Sequence, residues 1–517
     1  MCKNHDKKLL SDIRSCAAAE FTFGKLPYSG NIEDDCNTQK KREEYLKNPD
    51  DEAAIISLGD ALAHQARYNE ALSLYSKACE LYPHSYIAHR KRAVRLLSVL
   101  DLQNAKTELE ECLRNTDDKS DVLYLIAMVD YCLGDYATAI TSLKRCYPLF
   151  DGDDEMTVAV IYWHILCLVR QGKSVNEAIA HYSDKFECGH HTGYKKTVEA
   201  FINNDHTAGD GIEDELNRCI YAYGLHAYFL HLSNYKKAAE YLEKTLALNT
   251  YFASYAYLSA YSEKRAYETA KLSLKDFFAN HKKLALAFSG GVDSALLLRE
   301  AKECGADIKA YFIKTQFQPP FELNDAINTA KQCDADLEIL HCKIFEDDIL
   351  KNGDDRCYFC KKKIFSEIVK RANDDGYAVV IDGTNASDDL KDRPGARALC
   401  EFKILSPLRI CGVDKTAVRE LALEYGLTVW NKPSYSCLAT RVAKGERIDE
   451  ANLTRIQRAE EYLFSMGYEN FRVRCSQGDA CLEISGKQKE KFQSEKKEIF
   501  KELSRFFVNV RGSDIWR

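Results

Sequence analysis

Six consecutive residues, Ser289-Gly290-Gly291-Val292-Asp293-Ser294, carry the most specific chemistry in the sequence. Gly290 and Gly291 permit a sharp turn that aims backbone N–H groups at an anion. Ser289 and Ser294 add hydroxyl donors, and Asp293 is placed to orient a magnesium ion or to hold the loop. Phosphate is the ligand that suits such a loop. A second set is made of thiols: Cys357 and Cys360 form a Cys-x-x-Cys within Asp354-Asp-Arg-Cys-Tyr-Phe-Cys-Lys361, and Cys437 lies in Pro433-Ser-Tyr-Ser-Cys-Leu-Ala-Thr-Arg441. Zinc, a redox disulfide and ordinary buried thiols are all open to them, although zinc wants a fourth protein ligand and none is evident nearby. A third set is basic. Arg472 and Arg474 stand two apart on a presumed strand and so share a face. A guanidinium fork suits phosphate better than an ammonium does, and the plainer reading is a pair of exposed strand-face arginines.

These residues need elements to position them. Leu284-Ala-Leu-Ala-Phe288 reads as a strand buried on both faces, and Ala295 to Lys302 is compatible with a helix. Strand, glycine loop and helix start together place a helix dipole behind the anion. After about Glu263 strands and helices alternate. Strands are expected at Leu284–Phe288, Ile308–Ile313, Leu337–His341, Ala378–Ile381 and Ile404–Leu408, and helices near Ala295–Glu303, Asp325–Cys333 and Lys361–Ala372. That alternation predicts a doubly wound parallel sheet covered on both faces. Ligands of such sheets bind beyond the carboxyl ends of the strands, where Ser289–Ser294 falls.

The N-terminal half follows another rhythm. Ala71, Ala105 and Ala139 recur at a step of 34, as do Tyr68, Leu102 and Tyr136, while Gly59, Ala93 and Ala127 put a small residue at a matching point of each first helix. The pattern resembles the tetratricopeptide repeat, which implies helix pairs stacked into an α-helical solenoid whose concave face binds a protein partner, or one that only scaffolds or oligomerises the enzyme. Residues 1–50 show no period and are expected to be irregular. The expected divisions are repeats over 51–262, a nucleotide-binding α/β domain over 263–435 and a small α+β subdomain over 436–517. Cys188, His190 and His191 lie together in the least regular stretch, where a solvated loop pair is favoured over a metal site.

Size and composition bound the rest. A chain of 517 residues exceeds one core. Its net charge of −7 argues against a general nucleic-acid binder, and no apolar run approaches a bilayer span. The start, Met1-Cys-Lys-Asn-His-Asp-Lys-Lys, lacks the apolar core of a signal peptide, so a cytoplasmic location is expected. In a reducing compartment most of the 20 cysteines should be small buried thiols. Cys304, Cys333, Cys342, Cys400, Cys411 and Cys475 are expected to pack in that way, and Trp430 to serve as core or pocket wall.

The string SGGVDS between a buried strand and a helix resembles the PP-loop of the ATP pyrophosphatases, which split ATP into AMP and pyrophosphate. That resemblance implies ATP and Mg2+ at Ser289, Gly290, Gly291, Asp293 and Ser294. The order of the further strings, including Asp382-Gly-Thr-Asn-Ala386, Asp392-Arg-Pro-Gly-Ala-Arg397 and Phe471-Arg-Val-Arg474, resembles the ATP-dependent sulfur transferases called LarE over roughly the last 250 residues. What it implies is adenylation of a carboxylate of a pyridinium-3,5-dicarboxylate mononucleotide, then delivery of sulfur to give a thiocarboxylate for the nickel-pincer cofactor of lactate racemase. Cys437 matches the cysteine that one branch sacrifices, and Arg441 the family's arginine four residues on. Arg472 and Arg474 are implied to hold the substrate phosphate, and Glu460 and Glu483 to lie near substrate or metal.

Cys357 and Cys360 depart from the single-cysteine branch and resemble the branch in which three cysteines hold a [4Fe–4S] cluster with one iron open for an extra sulfide. Thr440 replaces a serine. Cys481 stands where the family usually has arginine, two residues before Glu483. Thiolation of tRNA, an amide synthetase and an inactive repeat-protein adaptor are the competing readings. They would call respectively for an RNA-binding domain, for an ammonia source and for a degraded loop, none of which is evident.

Overall fold

The structure is a computed structural model that describes residues 33–248, 254–388 and 394–513. It divides into two compact units, one ending at Ala266 and the other running from Tyr267 to Arg517. Asp392 and Arg393 of the Asp392–Arg397 string lie outside the described residues.

The first unit is helical. Its elements are α1 (Cys36–Lys47), α2 (Glu52–His64), α3 (Tyr68–Leu81), α4 (Tyr86–Ser98), α5 (Leu102–Arg114), α6 (Ser120–Cys132), α7 (Tyr136–Cys146), α8 (Asp154–Arg170), α9 (Thr192–Asn203), α10 (Glu215–His231) and α11 (Tyr235–Ala247). The boundary between the units falls within α12 (Tyr255–Asn280). The 34-residue step corresponds to packed helix pairs, α2 on α3, α4 on α5 and α6 on α7. Its alanines, Ala71, Ala93, Ala105, Ala127 and Ala139, are all fully buried. Gly59 shows why small residues recur there: a Cβ on it would stand 2.5 Å from the Tyr75 ring. The segment 1–50, expected to be irregular, contains α1. Asp35 starts this helix by accepting from the Thr38 N–H at 2.7 Å, a local cap that no long-range period reveals.

The second unit is built on a four-stranded parallel sheet of β1 (Lys283–Ala287), β2 (Asp307–Lys314), β3 (Asp336–His341) and β4 (Val380–Ile381), in the order β3-β2-β1-β4. The chain moves outward from β1 to β3 and then crosses to the far side of β1. The carboxyl end of β1 is therefore the topological switch point, where open α/β sheets bind ligands. Helices α13 (Val292–Glu303), α14 (Pro320–Gln332), α15 (Arg356–Asp374) and α16 (Lys415–Glu424) follow or flank these strands. The expected strand at Ile404–Leu408 is a correction: only Leu405 pairs, in a single bridge to Ile381, and a one-turn helix starts at Pro407. Proline lacks the N–H that a ladder needs and suits a first helical turn.

The last part adds α17 (Glu450–Ser465), β5 (Arg472–Ser476), β6 (Asp479–Glu483), α18 (Lys489–Leu503) and β7 (Val510–Gly512), with the second sheet ordered β5-β6-β7. Gln477 and Gly478 both have positive φ, 49° and 85°, and close the β5–β6 hairpin in two residues. One core runs from Ala285 and Tyr311 through Phe365 and Ile368 to Val473, Cys475 and Leu482. This core takes residues from both the 263–435 stretch and the small subdomain expected over 436–517.

Candidate active site

The glycine loop begins where β1 ends. Gly290 has φ +71°, and a Cβ there would stand 2.8 Å from the Cα of Ala326 on α14, so only glycine lets the loop pass this close. Ser289 and Ser294 close the loop from within. Their hydroxyls lie 3.1 Å apart, the Ser289 N–H donates to Ser294 Oγ at 3.3 Å, and the Gly291 N–H donates to Ser289 Oγ at 3.3 Å. Asp293, in the first turn of α13, faces the loop that follows β4. Its Oδ1 accepts from Asn385 Nδ2 at 2.9 Å and its Oδ2 from Lys415 Nζ at 2.5 Å. Gly383 makes this approach possible, since a Cβ there would meet the Ser294 backbone nitrogen at 3.1 Å. Asp382 orders the loop, accepting from Ser406 Oγ and Thr384 Oγ1, each at 2.6 Å. The arrangement joins a helix N-terminus, glycine N–H groups, two hydroxyls and a carboxylate beside an ammonium. That is a donor set for a polyphosphate with a divalent cation at its edge.

Polar contacts tie the start of α15, which carries Cys357 and Cys360, to the segment after Cys437. Asn352, buried and at φ +54°, donates from Nδ2 to the carbonyl of Ala443 at 2.8 Å. Arg356 donates from Nη1 to the carbonyl of Ala439 at 2.9 Å and from Nη2 to Cys357 Sγ at 3.4 Å. Cys357 is exposed, whereas Cys360 and Cys437 are half-buried against the apolar core. Burial, reinforced by the neighbouring Cys437 and Cys357, pushes the Cys360 thiol up to about 12. Burial also raises Cys437, while Arg356 pulls it down. Among the described residues, the group of three metal-ligating side chains with ligand atoms all within 4.8 Å of one another is Cys79, His89 and Glu108, in the helical unit. Each of these has another role: burial pushes the Cys79 thiol up to about 12, His89 Nε2 meets the Pro83 carbonyl at 3.0 Å, and Arg92 holds Glu108.

The arginines divide into two situations. Arg441 is 1% and Glu460 is 2% exposed at the side chain, and Arg441 Nε donates to Glu460 Oε1 at 2.8 Å. Tyr435 stacks on this guanidinium at 4.6 Å and its hydroxyl also donates to Glu460. The structure thus places Arg441 on Glu460 inside the core. Arg472 and Arg474 do share one face of β5, as their spacing predicts. Arg472 Nη2 donates to Ser436 Oγ at 3.2 Å, one residue before Cys437, and Arg474 Nε donates to Glu483 Oε1 at 2.9 Å. Beside that face lies a cavity of about 640 Å3, whose lining includes Cys357, Thr440, Arg474, Cys481 and Arg511. The glycine loop is not part of its lining.

No protein-family profile matches the chain. Comparison with curated proteins is informative. An uncharacterized protein of Methanocaldococcus jannaschii is 37% identical over 231 residues, 45% of this chain and 88% of that protein. The pyridinium-3,5-bisthiocarboxylic acid mononucleotide synthase of Lactiplantibacillus plantarum is 33% identical over 215 residues, 41% of this chain and 76% of that enzyme. The chain belongs to this synthase family. The tRNA-specific 2-thiouridylase MnmA of Pseudothermotoga lettingae is 29% identical over 188 residues, covering 54% of its length.

As a member of the synthase family, the chain shows features that its sequence motifs alone did not single out. Lys415 pairs with Asp293 across 122 positions, and no local spacing signals it. Glu322, in the first turn of α14, carries a carboxyl raised to about 7, chiefly by burial and against the pull of Lys432, Lys314 and Arg441. Other expectations are settled locally. Cys333, Cys342 and Cys475 are buried and Cys304 and Cys411 half-buried, but Cys400 is exposed at the end of a short helix, a correction to its expected packing. His191 Nδ1 lies 2.7 Å from the Glu155 carbonyl, and the Cys188 thiol is directed to the Phe186 carbonyl at 3.8 Å, so the Cys188–His191 stretch is tied by backbone contacts. Among the described residues no helix is long and apolar enough to cross a membrane.

Proposed function

We propose that the chain is an ATP-dependent sulfur transferase acting on a carboxylate of a pyridinium-3,5-dicarboxylate mononucleotide. What carries the reading is the glycine loop at the switch point in the same unit as Cys437 and an arginine-bearing sheet face, in a chain belonging to the synthase family. A substrate carboxylate oxygen attacks the α-phosphorus of ATP, the bond to the β-phosphate bridge breaks, and pyrophosphate leaves onto the N–H groups of Ser289–Ser294. Asp293, which pairs with Lys415, would hold a magnesium ion, and that ion would screen the leaving charge. A sulfur nucleophile then attacks the adenylated carbonyl carbon, AMP leaves, and a thiocarboxylate remains.

The source of the sulfur turns on Cys357, Cys360 and Cys437. A zinc ion with bonds of about 2.3 Å to sulfur draws its thiolates much closer together than a multi-iron cluster does. These three are not among the groups gathered within 4.8 Å. Cys357 is exposed, and Cys360 and Cys437 are half-buried against the core that includes Leu438, so an open side and an apolar wall are both present. Held there, a [4Fe–4S] group would supply an iron site for the sulfide that is given up. Arg356 stabilises the thiolate form of Cys437 whichever donor operates.

The test is turnover of the full chain, purified without air, with ATP, the dicarboxylate mononucleotide and sulfide. Pyrophosphate release that depends on the mononucleotide, and a product in which oxygen is replaced by sulfur, are expected. Pyrophosphate release indifferent to that substrate sinks the reading. The similarity to MnmA favours tRNA thiolation as the second reading, and the same assay with unmodified tRNA as acceptor separates the two.

A further inference from the structure

The second sheet places a guanidinium that neither the motifs nor the family pattern assigns. β5 and β6 are antiparallel with Arg474 opposite Cys481, and β6 and β7 are parallel with Cys481 beside Arg511. Side chains of residues paired across strands lie on the same sheet face. Arg474, Cys481 and Arg511 therefore form a row across three strands, and all three line the cavity of about 640 Å3 that also reaches Cys357 and Thr440. The opposite face is occupied by Val473, Cys475, Ala480 and Leu482, all buried.

The basic groups around this cavity are not equivalent. Arg356 is committed to Asn352 and the Ala439 carbonyl, Arg474 to Glu483 and the Thr440 carbonyl, and Lys444 to Asp354. Asp479, which also lines the cavity, accepts from the N–H and Nδ2 of Asn509. Arg511 is exposed on β7, and its side chain makes no hydrogen bond or ion pair with the described residues. An unengaged guanidinium on the wall of a cavity, with a second guanidinium two strands away across Cys481, suits a phosphate monoester.

We propose that Arg511 is a substrate-binding residue that takes the phosphate of the mononucleotide together with Arg474, supplying from β7 the guanidinium that position 481 lacks. This rests on the proposed function for the identity of the mononucleotide, but not for the phosphate chemistry. Cys481 offers no charge and little bulk, which leaves the neighbouring strand's longer side chain room to reach across the face.

Calorimetric titration tests this on the full chain with nicotinic acid mononucleotide as probe and the corresponding nucleoside, without phosphate, as control. Arg511→Gln is expected to weaken the mononucleotide roughly 10- to 100-fold, the usual loss for one charge-assisted contact, and to leave the nucleoside unchanged. Adding Cys481→Arg to Arg511→Gln is expected to recover most of the loss, because it returns a guanidinium to the same row. Unchanged mononucleotide binding in Arg511→Gln overturns the proposal, and so does an equal loss for nucleoside and mononucleotide. Arg511→Lys, with circular dichroism compared for all variants, guards against misfolding. If the probe binds as expected but no sulfur is transferred in turnover, the proposed function fails while the phosphate site stands.

Discussion

Arg441 and Glu460 meet in the core with Nε and Oε1 2.8 Å apart and almost no exposure on either side chain. Glu460 also accepts the Val473 N–H at 3.0 Å, so one carboxylate ties the segment carrying Cys437 to β5. Removing one partner leaves a buried charge without its counter-charge, which costs about 3–5 kcal/mol. Glu460→Ala is accordingly expected to lower the urea midpoint of the second unit strongly. The double variant Arg441→Met with Glu460→Leu is expected to regain much of the loss, since two apolar side chains need no partner. A single variant as stable as the parent would show that the pair is not a structural tie.

Lys415 Nζ donates to Asp293 Oδ2 at 2.5 Å, and Asn385 Nδ2 donates to its other oxygen at 2.9 Å. The ammonium neutralises a carboxylate beside the glycine loop. Lys415→Met is expected to reduce ATP–pyrophosphate exchange by about 100-fold, comparable to losing one preorganised donor. Asp293→Ala is expected to abolish the exchange. Both should keep their circular dichroism and their binding of nicotinic acid mononucleotide. Exchange at the parental rate in Lys415→Met would remove this residue from the site.

Legibility from sequence followed the range over which each feature is encoded. β1 and β2 were readable because strands buried in a parallel sheet appear as apolar runs, and the glycine loop because its backbone demands glycine at Gly290. The shared face of Arg472 and Arg474 followed from a period of two. Lys415 and Arg511 were not readable: one is fixed by a partner 122 positions away, the other by the register of a three-residue strand. The strand expected at Ile404–Leu408 failed at Pro407, where a local backbone constraint outweighed an apolar run. Helix α1 was missed because its cap at Asp35 acts on a sequence without period.

The three site cysteines differ in exposure, and that difference should appear in their reactivity. The nucleophile toward an alkylating reagent is the thiolate, and burial raises Cys360 to about 12 and also raises Cys437. In metal-free protein at pH 8, exposed Cys357 is expected to be alkylated first and Cys360 slowest, read by peptide mass spectrometry. Protein reconstituted anaerobically with iron and sulfide is expected to protect all three. Cys357→Ala should then lose bound iron and repeated turnover, while Cys437→Ala should keep adenylation and lose sulfur transfer. Protein without iron that loses sulfur mass at Cys437 after one turnover would instead assign the sulfur to that side chain.

Glu322 gives the fold a pH dependence of its own. It lies four residues before Ala326, the residue that walls Gly290, and burial raises its carboxyl from 4.5 to about 7. Between those values the folded chain keeps a proton that the unfolded chain has released, so stability falls as pH rises from about 4.5 to about 7. Lys432, Lys314 and Arg441 oppose the shift and Asp325 adds to it. The contribution is at most about 3.5 kcal/mol, at about 1.4 kcal/mol for each pH unit between the two values. Glu322→Gln removes the titration and is expected to flatten this part of the stability profile, with the largest gain over the parent above pH 7. Urea unfolding of both proteins at several pH values between 5 and 8 measures it. Parallel profiles for the two would mean that Glu322 ionises as an ordinary exposed carboxylate, and that the approach to the glycine loop is wetter than its burial indicates.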